Sequence, residues 1–465
     1  GVLGAALSLA LALQPPIFYD DAAISFRYAM RIAQLGSFTY NDHEAVQGAS
    51  NPLYTLLLAL GVAGGGSVEA TAGFLGIAGY AAASGLVFLL AARISNATGG
   101  LIAAGLLLSD GVFRTQALSG MESGFAAVLG LAAILCVTAR RDLLAGVFVG
   151  LAVWNKLDAG FLAIALGGSL LILTRRVPWK MGLVALATVT PWFIFAQVQF
   201  GSIIPQSMRS KIGGLTINPT VHFSRAWMFD ILRTDSQLPL IVAAVGMIVV
   251  LRSVSDVRAR AAVLALVGWF VGHLGAFSMI NLGDRYPWYM TVLYPPIAIL
   301  AGCTVGLLVA RFRSTRWAPV PALAALGLVL AAAAPLTVDT ANAISLGDVT
   351  PSYAQLEIDR RAAGAFVDAH SEAGEVVGSC WGWPAYETLD HPFNDLCRLN
   401  SRQFLSPMTY VVYPGRVRPD KRYQLIASFD RAHQLDPAQA WFTVWALPGS
   451  AMVRNGVHGD PPPPT

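Results

Sequence analysis

The chain has 465 residues, of which 55% are hydrophobic and only 12% charged, and its mean hydropathy is +0.57. That composition excludes an ordinary soluble domain and defines an integral membrane protein. The formal net charge of +4 is no signature of nucleic-acid binding, because the basic residues sit at the borders of apolar segments rather than on one soluble face.

Hydropathy predicts a mainly α, polytopic bundle of about eleven spans. They fall at 1–18, 67–92, 99–113, 121–138, 143–155, 158–174, 180–199, 237–251, 261–280, 288–310 and 317–337, several short enough to be broken or re-entrant. The first is read as a span rather than a signal peptide, since no small-x-small cleavage site precedes Tyr19. The chain divides into two domains, the bundle over 1–337 and a soluble α/β module over 338–465. Alternate connections are short and basic: Arg93; Arg140 and Arg141; Arg175, Arg176 and Lys180; Arg252, Arg258 and Arg260; Arg311, Arg313 and Arg316. The positive-inside rule places these in the cytoplasm. The N-terminus is then cytoplasmic, and the first loop, the 200–236 loop, the Asp284-Arg285 turn and the module are exported from a bacterial plasma membrane.

The first exported loop opens on Asp20 and Asp21, directly after an apolar run. Residues 22–34 form an amphipathic interfacial helix carrying Arg27 and Arg31 four residues apart, where cations meet lipid headgroups or phosphate. Gly36–Asp42 breaks it, and Asn51-Pro52 opens a second short helix. The two carboxylates have two readings. They cap the helix and complement its dipole, or one caps while the other enters an interfacial cavity as a general base, as an electrostatic stabiliser of a developing cation, or as part of a divalent-cation site.

Further along, Glu122 stands at the outward end of a span, as a cap or as a polar group for an acceptor. Lys156 and Asp158 lie near membrane depth and are expected to pair with each other. Arg209 and Lys211 follow the Pro205 turn as a clamp for a lipid-linked phosphate, the alternative being headgroup snorkelling. Asp284 and Arg285 stand beside Trp288 and Tyr289 in a loop that also reads as an aromatic belt. In the module, Trp381 and Trp383 flank Gly382 beside Cys380. They offer faces for sugar stacking, or belong to a small core. A Cys380–Cys397 disulfide is expected in an exported domain, the alternative being two buried thiols, whereas Cys136 and Cys303 fall in spans. Helix is predicted over 353–370 and strands over 375–379, 410–413 and 441–447; the Pro-rich tail after Gly459 carries no chemistry.

These residues together resemble a known family. Asp20 to Ala29, DDAAISFRYA, looks like the opening DDAxIxFRYA stretch of GT-C glycosyltransferases that use polyprenyl-phosphate sugars, most closely the terminal arabinofuranosyltransferases. Phe38 to Asn41, Val46 to Tyr54, Gly120 to Ser123, Pro205 to Lys211 and Asn281 to Arg285 resemble later motifs in the same order, covering most of 19–300. Gln47 replaces the usual Glu, and Asn155 to Asp158 stands where many relatives read R-P-[DE]-G.

The resemblance implies a GT-C-like bundle that transfers a sugar, arabinofuranose as the best guess, from a polyprenyl-phosphate donor to a cell-envelope glycan on the exported face. It implies Asp20 and Asp21 as catalytic candidates and Lys211, Arg209, Arg285 and Arg27 around the donor phosphate. Glu122, Asp284, Trp288, Trp381 and Trp383 are candidates for acceptor binding. No cofactor beyond the lipid-linked donor is implied, and the metal is unknown, with a divalent cation one option. The competing class is a secondary transporter or glycan flippase, but no inverted repeat is visible and the candidate charges gather at one face. A third reading has the bundle merely anchor a glycan-binding module.

Overall fold

A computed structural model describes residues 18–42, 44–213, 237–279, 287–312, 353–380, 382–396, 408–414, 421–429 and 442–457, with a few isolated positions besides. It is mainly helical, with a small sheet near the C-terminus. In the first loop, α1 (Asp20–Leu35) is stopped by Gly36, whose φ of 67° suits the left-handed cap that glycine adopts without steric cost. α2 (Pro52–Ala63) starts with Pro at its first turn, where the missing N–H costs nothing.

The bundle follows. It comprises α3 (Val68–Ile94), α4 (Ala97–Ser109), α5 (Gly111–Leu118), α6 (Ser123–Thr138), α7 (Asp142–Asn155), α8 (Gly160–Thr174), α9 (Trp179–Phe200), α10 (Gln206–Gly213), α11 (Gln237–Ser253), α12 (Val257–Met279) and α13 (Tyr294–Phe312). Among the described residues, five helical segments are long and apolar enough to cross a membrane: 68–94, 157–174, 179–200, 257–277 and 291–312. α4 and α5 make a further candidate, bent by 66°. The bend has a local cause. Asp110 ends α4, and its carboxylate accepts from Phe113 N at 2.7 Å, capping α5 and restarting the helix in a new direction. The expected span at 99–113 is thus broken within its own length. α2, α6, α7 and α11 are shorter apolar helices, and the expected spans at 1–18 and 317–337 lie largely outside the described residues.

The module contains α14 (Tyr353–His370), β1 (Val377–Ser379), α15 (Gly382–Glu387), β2 (Phe393–Asp395), β3 (Tyr410–Pro414), β4 (Gln424–Phe429), β5 (Phe442–Ala446) and α16 (Ala451–Arg454). Its five-stranded sheet has the order β2-β1-β3-β5-β4. β1 pairs parallel with β2 and β3, in the register Val377 to Phe393 and to Tyr410, while β5 pairs antiparallel with β3 and β4. The module shares its core with the bundle. Tyr28, Phe38 and Tyr40 of the first loop and Trp192 and Phe200 of α9 pack in one apolar cluster with Val377, Phe393, Tyr410 and Val444. Trp383 lies in another with Phe18, Phe26, Tyr54 and Trp288.

Candidate active site

A half-open cleft of about 50 Å³ lies where α1, the loop before α2, the start of α6, the end of α7 and the start of α10 converge. Asp21, Ser25, Asn51, Glu122 and Lys156 supply its charged and polar wall, joined by Ser207, and Met121, Trp288 and Tyr289 supply apolar surface.

One buried hydrogen-bonded chain organises the polar wall. Ser25 Oγ donates to Asn51 Oδ1 at 3.0 Å, Asn51 Nδ2 donates to Glu122 Oε2 at 2.7 Å, and Lys156 Nζ donates to Glu122 Oε1 at 2.7 Å. Thr55 Oγ1 also reaches Asn51 Oδ1 at 3.0 Å, one turn into α2, and fixes the amide's orientation. Glu122 stands at the N-cap of α6 but makes no side-chain cap. Its carboxylate turns towards Lys156, which is extended at φ −156° and ψ 123° after α7. Lys156 therefore pairs with Glu122 across helices, not with Asp158 as local spacing predicts. Burial alone would raise the Glu122 pKa, but the Lys156 charge and the bonds from Lys156 and Asn51 bring it below the ordinary value. The Lys156 pKa is lowered by burial but raised further by Glu122 and then Asp158, ending above its ordinary value. Both shifts describe a fully ionised pair. Lys156 also sits 5.3 Å from the centre of the Tyr289 ring, a cation–π contact on the cleft wall.

The adjacent aspartates diverge. Asp21 faces the cleft. Asp20 is buried, and its carboxylate accepts from Gly382 N at 2.8 Å and from Trp383 N at 3.0 Å, so it caps the module's helix α15 rather than pointing at the cavity. Arg27, expected at a donor phosphate, is fully buried and gives its N–H groups to carbonyls. Its Nε reaches Tyr40 O at 2.9 Å, Nη1 reaches Ala385 O and, at 3.1 Å, Thr388 O, and Nη2 reaches His391 O at 3.3 Å. Burial brings its pKa down to about 10, which leaves it charged at neutral pH. Arg31, read with it as a headgroup cation, is buried too, bonded to Thr39 O and paired with Asp42.

Of the other expected residues, Trp288 and Glu122 line the cleft, and Arg209 is exposed on α10 two positions beyond the cleft residue Ser207. Trp383 is wholly buried with its Nε1 on Phe18 O at 3.2 Å, which gives it a core role and no face for a sugar. Cys380 is disulfide-bonded, while Cys136 and Cys303 are free. The side chains of Lys211, Asp284, Arg285, Trp381 and Cys397 lie outside the described residues. Among the described residues no three His, Cys, Asp or Glu side chains gather as a metal site. Sequence reasoning left Ser25, Asn51, Lys156, Ser207 and Tyr289 out of the site. The available signal was Lys156, a cation at membrane depth, whose partner had to be sought beyond its own loop.

No protein-family model matches the chain, and no curated protein matches it in sequence. Its fold, however, is that of GT-C membrane glycosyltransferases. The chain superimposes on ArnT from Cupriavidus metallidurans with a TM-score of 0.62 at 14% identity, covering 98% of both chains. The Archaeoglobus fulgidus oligosaccharyltransferase, solved in complex with Zn and sulfate, gives 0.59 at 13% identity over 89% of this chain and 67% of that one. The arabinofuranosyltransferase AftD from mycobacteria gives 0.55 at 16% identity, and the match covers 96% of this chain but 41% of AftD. The chain is a multi-pass membrane protein with the GT-C architecture.

Proposed function

We propose that this protein is a GT-C glycosyltransferase that moves a sugar from a polyprenyl-phosphate donor to a cell-envelope glycan acceptor, with Asp21 as the catalytic base. The observation that carries the reading is Asp21 on the wall of a polar cleft that it shares with the ionised Glu122–Lys156 pair, at the junction of first loop and bundle within a GT-C fold. In an inverting transfer Asp21 takes the acceptor hydroxyl proton as the oxygen attacks the anomeric carbon. The bond from that carbon to the phosphate oxygen breaks, and the lipid phosphate leaves with the electron pair. Arg209, Lys211 and Arg285 are the cations we assign to the leaving phosphate. Trp288 and Tyr289 supply the wall against which a sugar ring rests.

Arabinofuranose is our choice of sugar, supported by the DDAAISFRYA stretch and by the likeness to AftD. The cleft and module are placed on the exported side and the basic connections in the cytoplasm, by the positive-inside rule. The test is transfer by purified protein from a synthetic polyprenyl-phosphoryl arabinofuranose to a short arabinan. Asp21→Asn is expected to lower the rate by about 10²–10⁴-fold, the usual contribution of a positioned base. Wild-type turnover retained in Asp21→Asn would remove this residue from the chemistry.

A further inference from the structure

We propose that Asp20 and Arg27 are positioning residues, a two-ended clamp by which α1 grips the module's helix α15 and so fixes the direction in which Asp21 points. The two side chains take opposite ends of one short helix. Asp20 accepts from the N–H groups of Gly382 and Trp383, donors that lack intrahelical partners in the first turn. Arg27 donates to the carbonyl oxygens of Ala385, Thr388 and His391, at and beyond the other end. A carboxylate at the helix N-terminus and a guanidinium at its C-terminus each complement the helix dipole. The spacing fits, because seven residues of α1 rise about 10 Å and six of α15 about 9 Å.

Packing between the two ends leaves no room for slack. A Cβ on Gly382 would stand 2.2 Å from the carbonyl oxygen of Asp20 and 3.1 Å from Ile24 N, so only glycine permits this approach. Phe26 meets Trp383 and Tyr386 edge-on at 6.0 and 5.9 Å between ring centres. On the far side of α15, Tyr386 OH donates to Glu69 Oε1 of α3 at 3.0 Å, and Arg361 bridges Glu387 at 2.6 Å and Glu69 at 3.2 Å. The module is thereby fastened to both the first loop and a long bundle helix.

Consecutive helical residues are about 100° apart around the axis. With Asp20 turned to α15, Asp21 is turned to the cleft, and any rotation of α1 that frees Asp20 swings Asp21 away. Docking of the module and presentation of the cleft carboxylate are one mechanical event. The docking half of this inference stands on geometry alone, and its activity half rests on the function proposed above.

The experiment compares full-length Asp20→Asn, Gly382→Ala and Asp21→Asn with wild type in detergent, reading amide hydrogen exchange over 382–391 and sugar transfer across pH. Asp20→Asn removes one acceptor, while Gly382→Ala leaves every charge in place and forces the helices apart. Both are expected to speed exchange over 382–391 by about tenfold or more and to lower kcat together, with the shape of the pH profile retained. Asp21→Asn is expected to lower transfer by the same roughly 10²–10⁴-fold as above while keeping wild-type exchange. Lost transfer in Asp20→Asn with undisturbed exchange would place Asp20 on the substrate and overturn the clamp, as would global unfolding of Asp20→Asn and Gly382→Ala with no local phase. Faster exchange in a protein that transfers no sugar even as wild type would leave the clamp standing and sink the glycosyltransferase reading.

Discussion

The Glu122–Lys156 pair sets the electrostatics of the cleft, and its energetics are asymmetric. Both side chains are largely withdrawn from water, at 2% and 12% exposure, so removing one partner strands the other in a low dielectric. Glu122→Gln is expected to destabilise the protein by about 3 kcal/mol, seen as a lower thermal unfolding midpoint at neutral pH. The pH dependence follows from the shifts. Glu122 titrates below its ordinary value of 4.5 in the fold, so its contribution is complete above that pH and is lost as pH falls through the lowered pKa. Lys156 is raised above its ordinary value of 10.5, so its contribution is complete below that pH and is lost only as pH rises through the raised pKa. A melting series should therefore show a plateau from about 4.5 to 10.5 for this pair, and a shallower acid limb in Glu122→Gln. An identical acid limb in both proteins would show that the pair does not govern it. The carboxylates of the first loop were legible in the sequence, but their division of labour was not, because the group that Asp20 caps lies 362 residues away. Arg27 was hidden for the same reason, since carbonyls of the module's Ala385, Thr388 and His391 take its N–H groups, whereas Arg31 turns back on Thr39 and Asp42 of its own loop. Helical spacing names the face they share but not what covers it.

Helix packing depends on small residues at close approaches. Along the seam between α4 and α13, a Cβ on Gly302 would stand 2.6 Å from Gly99 O and 2.7 Å from Ala103 N, and one on Gly306 would stand 2.6 Å from Gly99 Cα. Asn96 fastens one end, its Nδ2 donating to Gly306 O at 2.9 Å and its Oδ1 accepting from Gly99 N at 3.0 Å. In lipid such seams hold by van der Waals contact and hydrogen bonding rather than by a hydrophobic drive. Gly302→Leu is expected to separate the helices and cost about 1–3 kcal/mol or more, read as a lower melting midpoint in detergent, whereas Gly167→Ala, which meets nothing within 4 Å, should melt as wild type. Hydropathy identified most of these helices, because long apolar runs announce themselves. It marked several spans as short enough to be broken but did not place the α4–α5 break, a 66° bend at Asp110 beyond which Arg114 and Gln116 make α5 less apolar than α4. In the module, the helix at 353–370 and strands β1, β3 and β5 were legible from local pattern. β2, three buried residues long, and β4, whose register is interrupted between Leu425 and Ala427, carry no clean alternation.

At the scale of the whole molecule, α3 works as a ruler. Its 27 residues rise about 40 Å, more than the hydrocarbon thickness of a bilayer of about 30 Å. Near its start Glu69 binds the module through Arg361 and Tyr386, and near its end Arg93 donates to Thr138 O, two residues before Arg140. The module and the arginine-rich connections therefore lie at opposite ends of the bundle. At the arginine end Arg140, Arg176, Lys180 and Arg258 line a wide cleft together with Asp142 and Asp256, and Arg258 holds Asp142 by two bonds of 2.7 and 2.9 Å. If that end is cytoplasmic, as the positive-inside rule places it, the cleft proposed as catalytic opens towards the exported side, the side from which the proposed lipid-linked donor would enter. The polarity is testable without any activity, in a background carrying Cys136→Ser and Cys303→Ala. Ser255→Cys, exposed at the arginine end, should react with a membrane-impermeant maleimide only after cells are permeabilised, whereas Ala369→Cys, exposed on α14 of the module, should react in intact cells. The reverse pattern would put the cleft in the cytoplasm and make an outer-leaflet donor impossible, and labelling of both sites in intact cells would mean that the basic connections do not mark a cytoplasmic face.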